Sequence, residues 1–140
     1  MTTTWRTPAT ALVADANGWK GVWTLVFAAG QAAANLAAVK GADDDLGLTY
    51  AALDTSFALT ELEQQLVAFS ATGVAVDLGP VSLTDRGAAV TVIDDLLAAA
   101  ESLTTDLAGR PDSGVPVVLC AARVVTLLAS ARAKATGGAW

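Results

Sequence analysis

Trp19 to Val39 reads WKGVWTLVFAAGQAAANLAAV, with Lys20 as its one charge. Two apolar rows run along this stretch at helical spacing. The first starts upstream and takes Leu12, Ala16, Trp19, Trp23, Val26, Gly30, Ala33 and Ala37 in steps of four and three, a heptad seam. The second takes Val22, Leu25, Ala29, Ala32, Leu36 and Val39. At about 100° per residue the two rows lie roughly 120° apart, so one helix carries two faces that must leave water. A narrow polar stripe of Asn17, Lys20, Thr24, Gln31 and Asn35 separates them. A central helix touching two others of its own chain would satisfy this pattern, and so would a helix that gives its second face to another copy.

Composition favours the copy. Hydrophobic residues make up 54% of the 140 and charged residues only 16%, against a usual ~25%. Much of the excess is alanine, a strong helix former with little to bury. We therefore expect Val22, Leu25, Ala29, Ala32, Leu36 and Val39 to form an interface in a homodimer or higher oligomer. Trp5 and Trp140 stand near the two ends among small residues, and one or the other is expected to anchor in a pocket on its own bundle or a neighbour's.

The rest of the chain reads as partners for this helix in a single domain over 1–140. Thr7-Pro8 suits a helix start, with Thr as cap and Pro in the first turn. Because the first row keeps phase across Asn17-Gly18, we expect one long Ala/Gly-rich helix over about 8–40, stopped at Lys40-Gly41. A second helix over about 48–71 holds two apolar rows, Tyr50, Leu53, Phe57 and then Leu59, Leu62, Leu66, Phe69. The five-residue step from Phe57 to Leu62, with Thr60-x-x-Glu63 as a capping box, predicts a kink or split. Val74 to Val81 is an extended connection. Ser82-x-x-Asp85 opens a third helix over 83–108, and Ser113 to Pro116 opens a fourth over about 115–135. Short joints between four helices give an all-α, up-down four-helix bundle.

Chemistry is sparse. The absence of histidine removes imidazole catalysis and His-ligated metals. Cys120, the only cysteine, lies in the apolar run VVLCAARVV and reads as a buried thiol. Asp43-Asp44-Asp45 lacks the spacing of a calcium loop and suits the positive end of the next helix. Asp94 and Asp95 diverge by about 100° on a helix, so they do not converge on one atom. We expect no catalytic residues, no cofactor and no bound metal. The net charge of −6 and the lack of basic clusters argue against nucleic acid. Gly21 to Val39 is uncharged, but Gln31 and Asn35 and the abundance of alanine argue against a membrane span. With no basic head before an apolar core at the N-terminus, a cytoplasmic location is expected.

Tyr50-x-x-x-Asp54 resembles the short Tyr-three-residues-acid signal of type VII secretion substrates, which are small helical hairpins. The resemblance covers five residues, and that family's Trp-x-Gly turn is missing. It implies a small exported helical protein. The expected function is a non-enzymatic, self-associating structural, scaffold or adaptor subunit; the alternatives are a carrier of an apolar small molecule and a secretion-system substrate.

Overall fold

The computed structural model describes residues 5–39, 46–68, 73–81 and 83–137. Among them it is all helical, with five α-helices packed together: α1 (Arg6–Asp15), α2 (Gly18–Ala37), α3 (Leu46–Ala68), α4 (Arg86–Ala108) and α5 (Val115–Ala135). A single 3-10 turn, Leu83–Asp85, leads into α4. The Lys40-Gly41 stop, Asp43 to Asp45, Phe69, Ser82 and Trp140 lie outside the described residues.

The expected long first helix is two helices. Ala16 (ψ 129°) and Asn17 (φ −152°, ψ 135°) are extended. Gly18 follows at φ 66°, a left-handed conformation that residues with a Cβ adopt only at a cost. Apolar periodicity cannot register such a break, which is why the row kept phase across it. α1 then doubles back. Its first residue, Arg6, pairs with Asp95 midway along α4 at 2.8 Å, whereas the start of α2 shares a hollow with Leu107 at the far end of α4.

α3 is one uninterrupted helix, contrary to the expected split. Thr60 does not cap a new helix; its Oγ1 donates to the carbonyl of Ser56 one turn back, at 3.2 Å. The apparent phase slip has a simpler origin. Leu62 and Leu66 are buried, while Tyr50, Leu53 and Phe57 are exposed. The two apolar rows are different faces of the same rod.

α2 packs on α3 and α4, and α5 packs on the same two helices. Arg123 of α5 reaches Glu61 of α3, and Lys134 reaches Asp54, so these two helices are antiparallel. Ser113 beside Leu107 and Arg132 beside Asp94 set α5 antiparallel to α4 in the same way. The succession is not simply up and down. Between α3 and α4, residues 73–81 form an extended strap that runs back along α2. Gly73 rests on the Trp23 ring. The Val74 N–H donates to Thr24 Oγ1 at 3.2 Å, and Asn35 Nδ2 donates to Asp77 Oδ1 at 3.4 Å. The chain is thereby returned to the opposite end of the molecule before α4 begins, so α3 and α4 point the same way.

These partners explain why α2 is apolar almost all round. α3 and α4 cover its two apolar rows. The strap lies along its polar stripe, where Thr24 and Asn35 satisfy groups of a segment that has neither helix nor sheet to do so. Where α2 meets α3, Gly30 faces the buried Thr55; a Cβ there would collide with Thr55 Oγ1 and come within 3.0 Å of its Cβ. Leu25, Leu36, Leu62, Ile93, Leu96, Leu97 and Leu128 fill the interior.

Candidate functional site

The surface expected to meet another copy is inside the chain's own fold. Val22, Leu25, Ala29, Ala32 and Leu36 are each 1% exposed or less. Val39 is half-buried against the same core. The reason is that α3 and α4 of the same chain pack against both apolar rows of α2. Trp5 does anchor in a pocket, and the pocket belongs to its own chain: the indole is fully buried and its Nε1 donates to the Gly79 carbonyl at 2.9 Å. It ties the start of α1 to the strap.

Among the described residues, Val13 of α1 and Val74 of the strap are exposed singly, and the other exposed large apolar side chains lie on α3 and α5. On α3, Leu46 (55% exposed), Tyr50 (39%), Leu53 (49%) and Phe57 (54%) follow steps of four, three and four. One face of the first half of the helix is thus an apolar row in water. Exposed Thr49, Ser56 and Thr60 lie on the same side of the helix. The one carboxylate in this half, Asp54, is buried and accepts from Lys134 Nζ at 2.9 Å. A second group gathers at the other end, where the antiparallel register sets Val67 of α3 level with the first turns of α5. There Val115, Val118 and Leu119 are exposed. α5 is long and apolar enough to cross a membrane by length and composition alone; 28% of its most apolar window is buried, and that window has a mean hydropathy of 1.7.

The row was legible in the sequence as Tyr50, Leu53 and Phe57, but only as one of two apolar rows on its helix. Periodicity finds an apolar row without saying whether a partner covers it. Leu46, the fourth member, fell outside the expected helix start at 48.

Several charged groups hold helices together. Arg132 reaches Asp94 at 2.8 Å and Glu101 at 3.4 Å. Its hydrogen bond to Asp94 raises the guanidinium pKa above its ordinary value, so it is always a cation. Asp95 pairs with Arg6, and Glu61 with Arg123. Asp94 and Asp95 therefore serve different helices, as their divergence on α4 requires. Asp54, the acid of the Tyr50-x-x-x-Asp54 pair, faces α5. Cys120 is 1% exposed, with Sγ set 3.5 Å from the Glu61 carbonyl. Burial, and then the Glu61 charge, push its thiol pKa up, which keeps it protonated and unreactive at neutral pH.

Three hollows open around α1 and the start of α2. One of about 260 Å³ lies between Leu12, Ala16, Lys20, Thr24, Val74 and Val76. Another, of about 340 Å³, flanks α1 near Ala9, Val13 and Leu96. The third, of about 420 Å³, is bounded by Trp19, Lys20, Leu107, Arg110 and Val117. They border a short helix; none is a chamber between the alanines of α2. Among the described residues no three His, Cys, Asp or Glu side chains come together as metal ligands would. In comparisons with known protein families, curated proteins and solved structures, nothing matches this chain.

Proposed function

We propose that this chain is a non-enzymatic, self-associating helical subunit of a larger assembly, with α2 to α5 acting as a four-helix bundle and α1 as an arm folded onto it. The observation that carries this reading is the exposed row of α3. Large apolar side chains scattered singly on a surface need no explanation, but four in register along one helix face form a stripe. The stripe sits where no charge is exposed on that half of the helix, in a protein whose charged content is only 16%. Docking through it would leave the fold untouched, because none of its members belongs to the interior. The carrier and secretion-substrate readings have no feature of comparable weight. Ala28, Ala29, Ala32 and Ala33 of α2 are packed at 1% exposure or less, and Asp54 is turned onto Lys134.

Light scattering tests the reading directly. Across concentrations up to about 1 mM, enough to populate even weak contacts, the mass is expected to rise to a multiple of 14.1 kDa. A particle that stays at the mass of one chain throughout refutes self-association.

A further inference from the structure

We propose that two copies pair antiparallel along α3, about a two-fold axis crossing the helix between Ala51 and Ala52. The proposal rests on the self-association read above and gives it a geometry. Its first support is spacing. Leu46, Tyr50, Leu53 and Phe57 are separated by four, three and four residues, an order that reads the same from either end. Turning a second helix about the midpoint sets Leu46 opposite the partner's Phe57, and Tyr50 opposite the partner's Leu53. Every member of the row meets another member. A two-fold contact is self-complementary in this sense, and three steps over eleven residues stay close to the helix's own period of about 3.6, so the row runs straight along one face.

The second support is charge. Each copy carries −6, so two copies repel over most of their surfaces. From Leu46 to Thr60 the single acid is Asp54, already inside and held by Lys134, and no lysine or arginine occurs. Like charges therefore do not meet across this contact, whereas an acidic or basic partner of another kind would find no counter-charge on it. Thr49, Ser56 and Thr60 supply short hydroxyl side chains for a rim that does not hold the helices apart.

The third support is area, which also sets the strength. Four side chains of roughly 200 Å² each, about half exposed, offer roughly 400 Å² per copy. Two copies bury about 800 Å² through the row itself, and the rim carries this toward the ~1,200 Å² at the low end of stable interfaces. A concentration-dependent dimer follows, in preference to a permanent one.

The test uses Leu46→Glu and Phe57→Lys, which lie opposite one another across the proposed axis and are both solvent-exposed. Wild type is expected to approach twice 14.1 kDa on concentration. Each variant alone should remain at one chain's mass with wild-type helix content and thermal midpoint. An equimolar mixture should dimerise again, because one Glu–Lys contact and one Leu–Phe contact replace the two original ones. Wild-type NMR spectra recorded on dilution give a check that needs no variant: the shifts should be confined to α3. A dimer that survives either substitution, shifts centred off α3, or two monomeric variants that fail to pair when mixed would each overturn the two-fold geometry and leave self-association standing. A wild type that never exceeds one chain's mass overturns both.

Discussion

Gly30→Ala should destabilise the protein even though it improves the helix. In an open helix interior, exchanging Gly for Ala gains about 1 kcal/mol. At Gly30 the new methyl would collide with Thr55 Oγ1 and sit 3.0 Å from Thr55 Cβ. Thr55 is 2% exposed and has nowhere to withdraw, and its hydroxyl donates to the Ala52 carbonyl at 2.6 Å. Forcing a methyl into such a contact costs about 1–3 kcal/mol. Turning the hydroxyl away from its buried acceptor adds about 1 kcal/mol. Set against the helical gain, the net loss is about 1–3 kcal/mol. For a chain of this length that lowers the midpoint by roughly 3 °C per kcal/mol. Urea unfolding of Gly30→Ala in the wild-type and Thr55→Ala backgrounds measures the contact. Removing Oγ1 and Cγ2 should cut the cost of Gly30→Ala by about 1 kcal/mol. Gly87, exposed on α4 with nothing within 4 Å of where a Cβ would stand, is the control: there the same exchange should stabilise by up to about 1 kcal/mol. The reasoning fails if Gly30→Ala is as stable as wild type, or if its cost is the same with and without the threonine side chain.

Trp5→Ala removes a side chain that ties the start of α1 to the strap, and should detach α1 while α2 to α5 stay folded; limited proteolysis should then cut at Ala16–Gly18 in the variant and spare the wild type. Lys134→Ala leaves Asp54 largely buried without its cation, with an expected cost of about 1–3 kcal/mol, whereas Asp54→Leu combined with Lys134→Met should come within about 1 kcal/mol of wild type by chemical unfolding. Burial, and then the Glu61 charge, raise the Cys120 pKa above its ordinary value of 9.0 in the folded chain. Its contribution is therefore complete at neutral pH and is lost as the pH climbs past 9, where the unfolded thiol ionises and the folded one resists. Stability of Cys120→Ala should fall less steeply than that of wild type over that window.

How far the chain could be read without coordinates differs from element to element. α5 was legible to within about two residues, because Ser113 to Pro116 marks its start and the Gly-rich tail from Thr136 its end. α4 was nearly so. α2 was recognisable as the most enclosed helix, but its pattern could not distinguish cover supplied by the same chain from cover supplied by another. The deciding facts were a backbone angle at Gly18 and the path of residues 73–81, and neither leaves a periodic trace. The choice of interface failed for the same reason. Two apolar rows on α2 and two on α3 look alike as strings; only the packing shows that both rows of α2 are inside and one row of α3 is not.

The fold-back and the strap have a consequence during synthesis. α2 leaves the ribosome as a rod apolar on most sides, and its last cover, α4, is complete roughly seventy residues later, which is several seconds at about 5–20 residues per second. Throughout that wait Leu25, Ala29, Ala32 and Leu36 face water or whatever chaperone holds the emerging chain. The surface that is safest in the finished protein is thus the one most at risk while it is being made, and slowing elongation between codons 40 and 108 should raise the aggregated fraction without altering the folded product.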